Sequence, residues 1–237
     1  MATAATKSVG ELAVETLGAA RVFEKMGIDF CCGGEKSLDE ACRKKGLELN
    51  VVLQAIQDLQ ETEPTAAPDQ HWQSEPMQNL MTHIVSCHHQ YVRTETPRIA
   101  QWLGKCVAAH GEHHPELHRM QRSFAAMSSE MAQHMAKEEL ILFPAIARTE
   151  AGQAGGNLAA PVKMMMVEHD HSGRDLEEVR RLSGDYTPPA DACSTYRALY
   201  TALAEFEKDM RQHIHLENNI LFPRALALSP ANPDVVR

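Results

Sequence analysis

Aromatic side chains are scarce, 5% of a chain of 237 residues, and runs of β-branched residues are short. Both count against a sheet protein. Ala, Leu, Glu, Met and Gln are frequent instead, a composition that favours an all-α fold. Positive charge is also in deficit, with 23 Lys and Arg against 32 Asp and Glu for a formal net charge of −9. That balance argues against a nucleic-acid surface. No apolar run approaches the length of a membrane span, so no membrane association is expected. The opening MATAATKSVG lacks the apolar core of a signal peptide, which makes the cytoplasm the expected location. The six cysteines, Cys31, Cys32, Cys42, Cys87, Cys106 and Cys193, do not have the spacing of a secreted disulfide framework and are expected to be reduced thiols.

What the chain does have is a phrase stated twice. His134-Met-Ala-Lys-Glu138-Glu-Leu-Ile-Leu-Phe-Pro144 and His213-Ile-His-Leu-Glu217-Asn-Asn-Ile-Leu-Phe-Pro223 both read H-x-x-x-E-x-x-I-L-F-P. Residues four apart on a helix share a face, about 6 Å apart along its axis. Each phrase therefore sets an imidazole beside a carboxylate, and both groups bind first-row transition metals. The repeat extends upstream, since His89 lies 45 residues before His134 and His169 lies 44 before His213. Each half reads as a helix with one His, a turn, and a helix with His-x-x-x-Glu. Two such hairpins stack into an antiparallel four-helix bundle. Its centre would gather four His (His89, His134, His169, His213) and two Glu (Glu138, Glu217), a set suited to two irons bridged by the carboxylates. Ferritin-like di-iron sites use the order Glu-x-x-His and more carboxylates, so a site of that kind is disfavoured.

Taken in order, Ser8-Val-Gly-Glu11 and Ser37-Leu-Asp-Glu40 are capping boxes that open short helices. A helix over Ala19–Met26 lies between them, and another follows over about Asn50–Glu61. The turn Asp29-Phe-Cys31-Cys32-Gly33-Gly34 carries two glycines expected to adopt positive φ. These short helices form a small helical domain over residues 1–62, near the lower size limit for independent stability. A linker is expected over 63–75, and the bundle over 76–237. Its four helices are predicted from about Met77 to Cys106 with a kink at Pro97, Pro115 to Arg148, Val162 to Leu182, and Ala190 to Leu226.

Asp29-Phe-Cys31-Cys32-Gly33-Gly34, followed by Glu40-Ala-Cys42 and Lys45-Gly46, resembles the N-terminal domain of the iron–sulfur cluster repair di-iron proteins. These are also called the repair-of-iron-centres family. His83 through His89, Val167-Glu-His169-Asp and both repeated phrases resemble that family's hemerythrin-like domain. The resemblance covers nearly the whole chain. It implies a hemerythrin-like four-helix bundle holding two iron ions as an oxo-bridged centre, His89 and His213 binding one iron and His134 and His169 the other. It also implies repair of iron–sulfur clusters damaged by nitric oxide or peroxide, with the damaged proteins as partners and nitric oxide as a small ligand. A nitric oxide or dioxygen carrier or sensor, or a nitric oxide reductase, would use the same site. The chain would act as a monomer or homodimer.

Several residues have competing readings. His88 and His89 are adjacent on one helix and cannot both face the centre. His89 keeps the repeat spacing and matches the family's ligand. His83 is expected on another face, packed or at the surface, His171 and His215 are expected to point away at the surface, and Glu139 is expected in solvent, about 100° from Glu138. His110, His113, His114 and His118 read either as a second metal or entry patch or as a polar connection. His110, 21 residues past His89, would lie about 31 Å along a continuous helix. Cys31 and Cys32 read as buried inert thiols or, as the resemblance favours, as a reactive or iron-handling pair. Adjacent cysteines look poorly placed to chelate one metal together. The remaining cysteines are expected to be packing residues.

Overall fold

The computed structural model describes residues 7–16, 18–62 and 70–229. Among these the chain is helical, without a strand. Residues 63–69 of the expected linker lie outside the described residues. The chain groups into two compact units, one holding residues up to Leu80 together with Ile214–Leu228, the other Met81–His213. Residues 214–228, counted with the bundle from sequence, thus cluster with the N-terminal helices.

In the first unit four helices run Val9–Glu15 (α1), Ala19–Met26 (α2), Leu38–Lys45 (α3) and Leu49–Thr62 (α4). The Ser8 hydroxyl accepts from the Glu11 amide at 3.1 Å while the Glu11 carboxylate accepts from the Ser8 amide at 2.9 Å, a closed capping box. Ser37 caps α3 through the Glu40 amide at 3.3 Å. The two caps are stitched side by side, the Val9 amide donating to the Lys36 carbonyl at 2.8 Å and the Leu38 amide to the Lys7 carbonyl at 3.2 Å. Gly27 and Gly46 end α2 and α3 at φ 67° and 68°, where any side chain would be strained. Val9, Leu12, Phe23, Ile28, Phe30, Leu38, Val52 and Ile56 fill the core between these helices. The last turns of the chain's final long helix, including Phe222–Leu228 (α11), belong to the same unit. There the Arg224 guanidinium donates to the Trp72 carbonyl and, at 2.7 Å, to that of Glu75.

Gly33 and Gly34 do not have positive φ, contrary to the expectation from sequence. Close approach is what requires them. A Cβ on Gly34 would stand 2.8 Å from Asn219 Oδ1 and 3.0 Å from the Phe30 carbonyl, and one on Gly10 would overlap Asn219 Oδ1.

The second unit, Met81–His213, makes up most of an antiparallel four-helix bundle. Its first run is Met77–His83 (α5), a π turn over Ile84–His89, then Gln90–His110 (α6), with Pro97 inside it. The second is Glu116–Lys137 (α7), a π turn over Glu138–Leu142, then Phe143–Glu150 (α8). Ala159–Leu182 (α9) is the third, and Ser194–Leu216 (α10) the fourth, passing into a π turn over Glu217–Leu221. Each helix buries one apolar stripe at a spacing of three and four residues. On α7 the buried residues are Leu117, Met120, Phe124, Met127, Met131, His134 and Met135, with Glu138 next along the stripe of His134. On α9 they are Val162, Met165, His169, Ser172, Leu176 and Val179. Tyr196, Leu199, Leu203, Phe206, Met210 and His213 are buried along α10.

Candidate metal centre

The polar residues of the repeated phrases occupy core positions of those stripes. His89, Glu138, His169 and His213 are fully buried and His134 is 2% exposed. His89 Nε2 lies 3.2 Å from His213 Nε2, and His169 Nε2 lies 3.0 Å from His134 Nε2. Glu138 stands between the two pairs, with Oε2 3.4 Å from His89 Nε2 and Oε1 3.3 Å from His134 Nε2. One donor atom from each of His89, Glu138 and His213 lies within 4.8 Å of the others, as does one from each of His134, Glu138 and His169. Glu217 is fully buried. It follows His213 by four residues on the same helical run and so takes the next position of the stripe that carries His213.

The outer nitrogens show how the rings are oriented. His89 Nδ1 is 2.6 Å from Glu139 Oε1, which also accepts from Arg93 at 2.7 Å. His134 Nδ1 is 2.9 Å from Glu168 Oε2, and Lys137 bonds the other Glu168 oxygen. A carboxylate only accepts, so each Nδ1 carries the proton, which leaves Nε2 as the nitrogen that can offer a lone pair to a metal. Burial alone would raise the Glu139 carboxyl, but the bonds from His89 and Arg93 hold it below its ordinary range. Glu168 is lowered in the same way against its own burial, by Lys137 and His134. Imidazole nitrogens facing each other at 3.0 and 3.2 Å have the spacing of neighbouring ligands on a six-coordinate metal, about 3.0 Å for metal–nitrogen bonds of about 2.1 Å. The donor set therefore fits a buried transition-metal centre.

His88 is also buried, but its Nδ1 bonds Asp209 at 2.9 Å. Its ring stacks on that of His213 at 5.7 Å and 7° between planes. His83 is half-buried beside Cys87, with Nδ1 3.4 Å from the sulfur. Three expectations need correction. Glu139 is not a solvated residue; the π turn over 138–142 departs from the 100° step, and the carboxylate supports His89. His215 is not at the surface; it is fully buried, its Nδ1 accepting from Asn219 Nδ2 at 2.8 Å and its ring 5.2 Å edge-on from Phe30. Cys87 and Cys193 are exposed, whereas Cys42 and Cys106 are buried as expected.

Glu168 was not singled out from sequence, although it precedes His169 directly. Asn218 and Asn219 were also missed. The signal was the point where the two phrases diverge, Glu139-Leu140 in one and Asn218-Asn219 in the other. Asn218 Nδ2 donates to the Cys31 carbonyl at 3.0 Å and Asn219 Nδ2 to that of Phe30 at 2.9 Å. Cys31 is buried and Cys32 half-buried, their sulfurs 3.8 Å apart. The His110–His118 stretch sits at a bundle end. There His114 lies 3.1 Å from Asp191 and 3.0 Å from Glu116, and no three metal-ligating side chains converge there among the described residues.

A bundle of four helices with buried His and Glu on its core stripes defines a cation-binding protein of the hemerythrin kind. Residues 80–225 match the family described as hemerythrin HHE cation binding domain, and residues 5–60 match a domain of unknown function, DUF542. The iron-sulfur cluster repair protein YtfE of Yersinia pseudotuberculosis serotype IB is 41% identical over 220 residues, 93% of this chain and 96% of its own. That of Yersinia pestis strain Pestoides F is 40% identical over the same shares. The chain belongs to this family of iron–sulfur cluster repair proteins.

Proposed function

We propose that the chain repairs iron–sulfur clusters damaged by nitrosative or oxidative stress, and that it does so by supplying iron from a two-iron centre. His89 and His213 would hold one iron, His134 and His169 the other, with Glu138 and Glu217 bridging them. The observation that carries this reading is the inward turn of the His89 and His134 Nε2 atoms onto Glu138. Each ring is fixed from behind by its own carboxylate, Glu139 or Glu168. When bound, the irons supply redox chemistry and a store of metal. The chain's own groups do the rest. Glu139 and Glu168 keep the rings in the binding tautomer, and Arg93 and Lys137 keep those carboxylates ionised. All six donors are imidazole and carboxylate groups with 2% exposure or less, which keeps bulk water from them. Cys31 and Cys32, soft donors suited to iron on its way to a cluster, would accept or pass on the departing metal. The partners would then be proteins with damaged clusters. No helix among the described residues is long and apolar enough to cross a membrane, and the cytoplasm is the proposed compartment.

The test begins with metal content. The purified chain should carry two irons, His89→Ala should lose iron, and His88→Ala should keep most of it because its Nδ1 is committed to Asp209. Equal loss from both variants would overturn the ligand assignment. Iron-loaded protein should also restore activity to a nitric-oxide-damaged dehydratase. Nitric oxide binding without any yield of iron to an acceptor would replace repair with a carrier or sensor.

A further inference from the structure

The turn at Asp29–Cys32 gathers a second group of metal-ligating side chains. Asp29 organises it, Oδ1 accepting from the amides of Cys31 at 3.3 Å and Cys32 at 3.0 Å and from the Cys31 thiol at 3.4 Å. Adjacent side chains diverge in a helix or strand, but this bend brings the two sulfurs to 3.8 Å. One donor atom from each of Asp29, Cys31 and Cys32 lies within 4.8 Å of the other two. Two thiolates on one tetrahedral ion, with metal–sulfur bonds of about 2.3 Å, stand about 3.8 Å apart, and a thiolate and a carboxylate oxygen about 3.6 Å apart. The observed sulfur–sulfur and sulfur–oxygen spacings of 3.8 and 3.4 Å match two edges of such a tetrahedron, and the third lies within 4.8 Å. The expectation that neighbouring cysteines are badly placed for one metal fails here because the Asp29 turn is neither helix nor strand.

The surroundings hold that geometry. A Cβ on Gly33 would stand 3.0 Å from Asp29 Oδ2, so glycine leaves the carboxylate its room. The carbonyls of Phe30 and Cys31 are pinned by Asn219 and Asn218. Cys31 is buried and Cys32 half-buried, so a cation arriving from solvent meets Cys32 first.

We propose that Asp29, Cys31 and Cys32 form a three-ligand site for one thiophilic divalent cation, ferrous iron or zinc, whose fourth position is open to water or to an incoming thiolate. Binding exchanges two S–H bonds for two metal–sulfur bonds and releases two protons, with no change of oxidation state. That the cation is iron in transit rests on the repair reading above; the site itself does not.

The full chain, isolated with its irons and with its thiols reduced under anaerobic conditions, is titrated with Co²⁺ as the probe. One further metal equivalent should bind, with ultraviolet thiolate-to-cobalt charge transfer and visible bands of tetrahedral cobalt, while elemental analysis shows the iron retained. Cys31→Ser/Cys32→Ser should abolish the charge transfer. Asp29→Asn keeps an oxygen to accept from the two amides, so the turn survives, but it should weaken cobalt binding about tenfold or more. Absence of the charge-transfer bands in the wild type overturns the site, as does their persistence in the double variant. Unchanged affinity in Asp29→Asn overturns the three-ligand assignment. Cluster repair is assayed on the same samples. Cobalt binding in a chain that repairs nothing supports the site and sinks the function proposed above.

Discussion

Behind two of the converging imidazoles stands a carboxylate that touches no proposed metal position. Glu139 and Glu168 act through His89 and His134, orienting each ring and raising the basicity of its inner nitrogen. Glu139→Gln and Glu168→Gln keep the shape but can present an amide N–H to the ring, favouring the wrong tautomer. Each should weaken iron binding by about 10- to 100-fold in competition with a chelator, with helix content unchanged by circular dichroism. Retention equal to wild type would make these carboxylates mere surface partners of Arg93 and Lys137. Glu207, 1% exposed, is a structural counterpart. Arg180 and Arg211 surround it and the Tyr186 hydroxyl donates to it at 2.7 Å. Glu207→Gln should cost about 1.5–3 kcal/mol in urea unfolding and leave the iron in place.

At the scale of elements, three π turns interrupt the bundle helices, and each contains a proposed ligand: His89, Glu138 or Glu217. Two of them lie just ahead of Pro144 and Pro223. A proline ring crowds the carbonyl four residues back and lacks the amide that would bond it, and the wider π turn gives that carbonyl room. The loop end of the bundle is tied differently. His114 joins the turn before α7 to Asp191 ahead of α10, and the bonds to Asp191, outweighing burial, raise its pKa. A raised histidine contributes stability that is whole below its unfolded value, about 6.5, and is lost as pH rises through the folded one. His114→Gln should therefore lower the melting temperature at pH 5–6 and have a shrinking effect as pH rises through the raised imidazole range into the alkaline. An equal effect at both would deny the ion pair. Helix positions were legible in the sequence because capping boxes, terminal glycines and three-and-four spacing have a local cause. The buried cluster of His89, His134, Glu138, His169 and His213 was legible because the chain repeats itself. The π turns and the carboxylates behind the rings were not, since an ideal 100° step placed Glu139 in solvent and nothing in composition marks a widened turn. The register that placed Asn218 and Asn219 against Phe30 and Cys31 depends on packing distant in sequence.

At the scale of the whole molecule, the N-terminal helices share a compact unit with residues 214–228, so the division into compact units does not follow the chain's two sequence domains. Gly10 and Gly34 make room for Asn219, and His215 packs on Phe30. A chain starting near Asp69 leaves that side of residues 214–228 without its partners. It should still bind two irons, because every proposed iron ligand of the centre lies after residue 69. It should be less stable in urea unfolding, by about 1–3 kcal/mol for the two asparagine bonds to the Phe30 and Cys31 carbonyls. Repair should be lost along with Cys31 and Cys32. Gly34→Ala in the full chain separates these effects, since it strains the contact with Asn219 while keeping both thiols. If Gly34→Ala lowers stability but leaves repair intact, the thiols rather than the packing account for the truncated chain's loss. A truncated chain that repairs clusters as fast as the full one would remove the N-terminal helices from the repair reaction and leave them a structural role around residues 214–228.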